Sequence, residues 1–345
     1  MNDTSSVTIQ QLMVHQAGNA AQGGQLILSE TPHSIPDEFW QQTLTHFFLK
    51  PFNEAEQYRL QTQDNLVYTI INQLFSKEVS LESGSKTLAE HFHLKSQSVH
   101  AKSGEFYMAD FDNIYFDGSE YRAIGLFHTT IKDQFLKVKT KPGSVQLSIE
   151  EGIDLKKAEK GALILQKVAD QGFIVLIHEQ SSAKQADGAF WKSIFLQASP
   201  IINSYHNTNE ALGMCKLFIS NELTENFETS KTDQIDMLQR SMDYFKTHDQ
   251  FQLEEFSKEV LYHPEVIESF TQYKQQYEVA KQVNIEDEFA INPAAIQKQQ
   301  RHFKSILKLD KNFHVYVHGR RDLIEKGYDE RTGKHYYKLY FDQEQ

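Results

Sequence analysis

The sequence predicts an α+β protein: an N-terminal domain mixing helices with antiparallel sheet, a helical middle, and a small β-rich C-terminal module. Three observations predict it. Apolar residues at helical spacing recur through the first hundred residues and again through 206–290. Short β-prone runs separated by glycine- and proline-containing turns fill the stretch from 104 to 179. A polar turn closing on Gly333 joins two tyrosine-bearing runs near the C-terminus. With 345 residues the chain is long enough for two or three units that each bury a core. The expected divisions are 1–205, 206–290 and 291–345.

Taken in order, residues 7–15 alternate, 17–24 are small turn residues, and 25–29 return as the second arm of an opening hairpin. Pro36 stands near the first turn of a helix whose apolar face is Phe39, Trp40, Leu44, Phe47 and Phe48. A second helix is expected over 66–75, with Val67, Ile70, Ile71 and Leu74 at helical spacing. A third is expected over 80–99, lined by Leu81, Leu88, Phe92 and Leu94. From Gly104 the strands follow one another through turns at Asp117-Gly118, Pro142-Gly143 and Asp170-Gln171-Gly172. That pattern is an antiparallel meander with the N-terminal helices on one face. Beyond Ser199-Pro200 helices are expected over 207–221, 230–247 and 253–262, and His263-Pro264 opens another that ends near Val283. Asn292-Pro293 marks a boundary, after which a short helix reaches Lys308. Strands over 313–317, 323–328 and 335–341 finish the chain.

Charge is divided unevenly along this order. From 221 to 290 there are 16 Asp+Glu against 6 Lys+Arg, a balance of −10. From 301 to 338 there are 10 Lys+Arg against 5 Asp+Glu, a balance of +5, in a protein whose total is −12. A basic patch selects polyanions as partners, while an ordinary solvated face accounts for either segment equally well. The net acidity argues against coating DNA through the whole surface, since each neutralised phosphate needs a Lys or Arg. A single cysteine, Cys215, excludes an intrachain disulfide and a cysteine-based zinc cluster. The N-terminus has no signal-peptide pattern and no window approaches 18 apolar residues, so a cytoplasmic protein without a membrane partner is expected.

The search for catalytic motifs is mostly negative. Gly18, Gly23 and Gly24 lack the Lys and hydroxyl of a phosphate-cradling loop, and no HExxH, GxSxG or GxGxxG motif occurs. His91 and His93 lie two apart in helical sequence, where their side chains diverge, so they read as surface histidines. Cys215 reads as an inert buried thiol in an amphipathic helix. Neither a catalytic residue, nor a cofactor, nor a metal site is expected. Basic residues with aromatic neighbours are the candidates that remain. Arg301, Lys304 and Lys308 fall at i, i+3 and i+7 along one face of the expected helix. Arg320 and Arg321 follow a strand, and Arg331, Lys334 and Lys338 surround the final hairpin. His314, Tyr316 and His318 share one strand face, either as a plain polar face or as one approaching phosphate. Tyr336, Tyr337 and Tyr340 either pack on their own module or stack on unpaired bases.

The segment SILKLDKNFHVYVHGRRDLIEKGYDERTGKHYYKLYF resembles the closing region of the bacterial nucleoid-associated protein family typified by NdpA. IQQLMVHQ…GGQLILSETP is similar to that family's opening hairpin, and GEFYMADF…YRAIGLFHTTIKDQFLKV to its central run. FWKSIFLQASPIINSYHNT is similar to the region before its long helices. The resemblance covers nearly the whole chain and rests on structural strings, not catalytic ones. It implies a cytoplasmic, nucleoid-associated protein that self-associates; no catalytic residue carries over. Two features depart from the family pattern: the acidic total, which puts direct DNA contact in question, and a C-terminal module that is more basic and richer in tyrosine.

Two readings of function follow. In the first, a non-enzymatic protein contacts DNA without sequence preference, with phosphates held by Arg301, Lys304, Lys308, Arg320, Arg321, Arg331, Lys334 and Lys338. In the second, the protein is an adaptor that reaches the nucleoid through DNA-processing proteins, docked on acidic residues including Glu254, Glu255 and Glu259. A hydrolase assembled from dispersed residues is the weaker third.

Overall fold

The computed structural model describes residues 6–19, 23–54, 56–96, 103–156, 158–169, 172–179, 190–281, 283–300, 303, 305–317 and 323–343. The chain divides into two compact units, Met1–Ile201 and Ile202–Gln345.

In the first unit, β1 (Thr8–Ala17) leads to α1 (Glu38–Leu49), β2 (Glu56–Leu60), α2 (Leu66–Phe75) and α3 (Leu81–Ser96). Strands β3 (Gly104–Phe116), β4 (Ser119–Thr129), β5 (Lys132–Lys141), β6 (Ser144–Ile153), β7 (Lys160–Ala169), β8 (Gly172–Glu179) and β9 (Ala198–Pro200) follow. Seven of them form one antiparallel sheet in the order β1-β3-β4-β7-β8-β2-β9. The expected opening hairpin survives only as one bridge, Gln16 to Ile27. The real partner of β1 is β3, which offers it a ladder from Thr8↔Asp112 to Ala17↔Gly104.

The sheet is covered on both faces, which corrects the expectation of helices on one. Alternate residues of each strand go to opposite sides. Phe106, Met108, Ile124, Leu126, Ile164 and Val175 join α2 and α3 in one core. Ala109, Phe111, Ala123, Phe127, Leu163 and Leu176 join Phe47, Phe48 and Leu49 of α1 in another. The Phe48 and Phe127 rings stack at 4.3 Å. Early in α1, Phe39 and Trp40 are exposed, so its expected apolar face is buried only over the last turns. Leu94 of α3 is exposed as well. α2 is capped by Asn65, whose side chain accepts from Tyr68 N–H, and its bounds are those the spacing predicts. Arg122 on β4 fixes this helix: it pairs with Asp110 through Nε (2.9 Å) and Nη2 (2.8 Å) and donates to the Leu74 carbonyl (3.3 Å).

Strands β5 and β6 stand outside the sheet. Among the described residues they pair with each other alone, in full register from Lys132↔Ile153 to Lys141↔Ser144. Every residue of β5 is exposed.

In the second unit, α4 (Ser204–Leu217), α5 (Leu223–Asn226), α6 (Lys231–Thr247), β10 (Gln250–Gln252), α7 (Leu253–Phe256), α8 (Pro264–Lys281), β11 (Glu288–Ala290) and α9 (Pro293–Gln300) surround one core. Ser230 begins α6 with a capping box, its hydroxyl accepting from Asp233 N–H and the Asp233 carboxylate accepting from Ser230 N–H. Two wide π-type turns adjust the helices here: Phe218–Glu222 joins α4 to α5, and Ser257–Leu261 continues α7. Two hairpins follow: β12 (Ser305–Leu309) with β13 (Phe313–Val317), and β14 (Ile324–Asp329) with β15 (Lys334–Leu339). No described helix is long and apolar enough to cross a membrane.

Two buried groups make this packing testable. Ser29 N–H donates to His15 Nδ1 (3.0 Å), so the ring proton is on Nε2, 2.9 Å from Ser85 Oγ. Burial, helped by the charge of Lys86, holds the His15 pKa down to about 4. In the unfolded chain the imidazole titrates near 6.5, so the unfolded state takes the proton first as pH falls. The stability that His15 contributes is therefore complete above about pH 6.5 and lost on descending to about pH 4. Thermal melts at pH 7.5 and pH 4.5 are expected to differ less for His15→Gln than for the parent chain. Cys215 is buried on α4, and that burial pushes its thiol up, away from the reactive thiolate. A disulfide-exchange reagent is expected to leave the native thiol unmodified over minutes and to label it fully in denaturant.

Candidate nucleic-acid interface

The expected helix through Lys308 is not formed. α9 ends at Gln300, and Ser305–Leu309 is a strand, with Leu307 opposite Val315 and Lys308 opposite His314. The alternating SILKL run meets an equally β-prone FHVYV run, and pairing overrides the helical spacing. Lys308 therefore lies on a strand and not on the expected helix face. Arg301, Lys304, Arg320, Arg321 and His318 lie outside the described residues, as does the side chain of Lys308. His314 and Tyr316 do share a strand face; both are exposed, while Val315 is half-buried.

The last hairpin is described in full. Its turn is built by Asp329, whose carboxylate accepts from Arg331 N–H (3.0 Å) and the Thr332 hydroxyl (2.8 Å). Those hydrogen bonds, Thr332's first, hold the Asp329 carboxyl below the usual carboxylate range. Gly333 takes φ +65°, the left-handed conformation that the sequence assigns it. Directly opposed residues share a face, so Lys334, Tyr336 and Lys338 lie together with Asp329, Gly327 and Glu325. Gly327 makes room for the Tyr336 ring: a Cβ there would fall 2.2 Å from its Cζ.

The Tyr340 hydroxyl donates to Glu325 (2.7 Å), and Lys338 lies 5.0 Å over the Tyr340 ring and 3.7 Å from Glu325. Tyr340, and then Glu325, hold the Lys338 ammonium above the ordinary lysine value. The structure thus brings Arg331, Lys334 and Lys338 onto one exposed hairpin, with Lys338 braced by an acidic neighbour. Tyr336 and Tyr340 remain about half exposed at 45% and 46%, so neither packs into a core.

The acidic candidates fall on α7 and the turn after it. Glu254 is exposed and paired with Lys258 one turn on, which lowers its pKa. It borders a groove of about 450 Å³ that Leu253, Ile267, Thr271, Asp287 and Glu288 also line. Glu255 accepts from the Tyr244 hydroxyl (3.0 Å), and burial first, then the carboxylates, pushes Tyr244 up to about 12.

Glu255 and Glu259 also meet His248, a grouping that the sequence reading missed; one ligand atom from each lies within 4.8 Å of the others. His248 stacks on Tyr244 (4.1 Å), with Nδ1 3.0 Å from the Tyr244 carbonyl and Nε2 3.8 Å from Glu259. The spacing i, i+7, i+11 crosses a helix end, a strand and a turn, so no periodicity announces it. His91 and His93 lie on α3 as expected, and the His91 ring packs against Phe195 at 5.8 Å.

Comparison with curated proteins returns no match. A family model described as "nucleoid-associated protein YejK" matches residues 13–336. That span takes in the seven-stranded sheet from the middle of β1 onward, the acidic helices, the β12–β13 hairpin, and the last hairpin as far as Tyr336, with Lys338 and Tyr340 beyond it. The chain belongs to this nucleoid-associated protein family.

Proposed function

We propose that the protein is a non-enzymatic, cytoplasmic component of the nucleoid that contacts DNA directly through its C-terminal module. The observation that carries the reading is the β14–β15 hairpin, where Arg331, Lys334 and Lys338 stand exposed beside half-exposed Tyr336 and Tyr340. A ribbon of this kind offers ammonium and guanidinium groups to phosphates, and aromatic rings to any unstacked base. Phosphate contacts carry no sequence information, so binding is sequence-tolerant and salt-sensitive. The remaining members of the set are Arg301, Lys304, Lys308, Arg320 and Arg321. Self-association belongs to the same reading.

Fluorescence anisotropy with a labelled duplex over a salt series tests it. With about 4–6 phosphate contacts, log Kd is expected to change with log salt at a slope of magnitude about 4–5. Reversing Arg331, Lys334 and Lys338 together to Glu removes about three contacts and lowers that magnitude by about 3. A parent protein that ignores DNA even at low salt sinks the reading.

One observation favours an adaptor instead: Glu254 borders a groove with Asp287 and Glu288, a negative, part-apolar surface suited to a basic protein segment. On that alternative, Glu254→Gln/Glu255→Gln/Glu259→Gln abolishes recruitment to isolated nucleoids, while the C-terminal triple reversal leaves it intact. A result the other way round removes the adaptor.

A further inference from the structure

We propose that the polar face of the β5–β6 ribbon is a second DNA-backbone contact surface, separate from the C-terminal module. The ribbon is the most exposed regular element of the first unit. Two strands of ten residues span about 33 Å with no sheet partner among the described residues. An isolated two-stranded ribbon is at best marginally stable in water, so one this long calls for an occupant.

Its register separates two faces. Leu136, Val138, Val145, Leu147 and Ile149 lie on one, each between 57% and 72% exposed. Lys137, Lys139 and Lys141 lie on the other, opposite Ser148, Gln146 and Ser144. Those six side chains, on the half of the ribbon nearer its tip, can all donate to phosphate oxygens, while Asp133, Phe135 and Glu150 occupy the same face nearer its base. Between residues 134 and 149 there are three lysines and no acidic residue, in a chain whose net charge is −12. Midway along it Lys137 is braced by Glu150 (2.9 Å), and Lys139 and Lys141 continue to the Pro142-Gly143 tip. Gly143 takes φ +79° there, which closes the turn in two residues and keeps the end of the ribbon narrow.

Spacing and size select the ligand. Residues two apart on one strand face are about 6.8 Å apart, a spacing at which each long lysine side chain reaches a separate phosphate of a DNA strand. The major groove, about 12 Å wide, admits a two-stranded ribbon, and the flanking backbones then lie within reach of long lysine side chains. Charge complementarity thus points the polar face at duplex DNA, and the membership in a nucleoid-associated family supplies the setting.

The test uses the full-length protein and leaves the Lys137–Glu150 pair in place. Lys139→Glu/Lys141→Glu is compared with the parent chain and with the Arg331/Lys334/Lys338 reversal, in duplex anisotropy across salt. The ribbon variant is expected to bind about tenfold more weakly, with a slope magnitude lower by about 2. Unchanged affinity and slope, with an unchanged circular dichroism spectrum, overturn the proposal. Loss in the ribbon variant alone leaves this inference standing and removes the C-terminal one; loss in the C-terminal variant alone does the reverse.

Two further arms exclude other occupants. If Leu136→Ser/Leu147→Ser splits an oligomer and abolishes DNA binding while the lysine variant binds normally, the ribbon joins copies of this chain and the proposal fails. It fails equally if the lysine variant loses affinity for phosphatidylserine vesicles and keeps its affinity for DNA.

Discussion

A sheet whose strands are apolar on both sides must be covered twice, and the first unit is organised around that requirement. Leu163 and Leu165 face α1, while Ala162 and Ile164, their neighbours in the same strand, face α2 and α3. Two helical layers are the least that can remove both sets from water, and each buried Leu, Ile or Phe contributes about 1.5–3 kcal/mol. The Arg122–Asp110 pair then ties one layer to the sheet through the Leu74 carbonyl. The consequence for function is direct. With both faces occupied, this sheet has none left for a ligand, and recognition in the first unit passes to elements outside it. β5 and β6 are such elements.

Much of this was legible in the chain. α2 is legible because Val67, Ile70, Ile71 and Leu74 place four apolar groups on one helical stripe; its Asn65 cap is a finding of the structure. Strands β3 to β8 were read because Gly118 and Gly143 take positive φ at turns that their dipeptides announce. The double covering was missed, although consecutive apolar positions in 162–165 and 173–177 carry its signal: a strand exposed on one side alternates, and these do not. The helix expected through Lys308 rests on the i, i+3, i+7 spacing of Arg301, Lys304 and Lys308, and local spacing cannot see the partner of Lys308 six residues downstream, His314.

The site was harder to read than the fold. The grouping of Arg331, Lys334 and Lys338 was visible because a hairpin turn keeps residues close in sequence close in space. Glu325 bracing Lys338, and the Tyr336 ring lying across Gly327, depend on register, which composition does not give. His248 with Glu255 and Glu259 depends on how a helix end meets a turn eleven residues later. The lysines of β5 were plain in the sequence, but their meaning depends on the absence of a neighbouring strand, and a strand read alone always has room for one.

A net charge of −12 need not oppose contact with a polyanion, because charges act over short distances in salt. At physiological ionic strength the screening length is about 8 Å. Along the ribbon, Lys139 and Lys141 stand about 13 and 20 Å beyond Glu150 and about 20 and 27 Å beyond Asp133, so Lys141 at the tip lies more than two screening lengths from each of the ribbon's acidic residues. A phosphate backbone at the tip meets the local positive potential and little of the acidic surface behind it. The C-terminal hairpin lacks that separation, since Glu325 and Asp329 share the face of Lys338 and Lys334. Acidic neighbours at that range are not screened: they hold the lysines in place and weaken their field. Two surfaces of the same ligand class thus differ in the physics of their charges, the ribbon's tip set apart from acidic residues by distance and the C-terminal lysines moderated by contact.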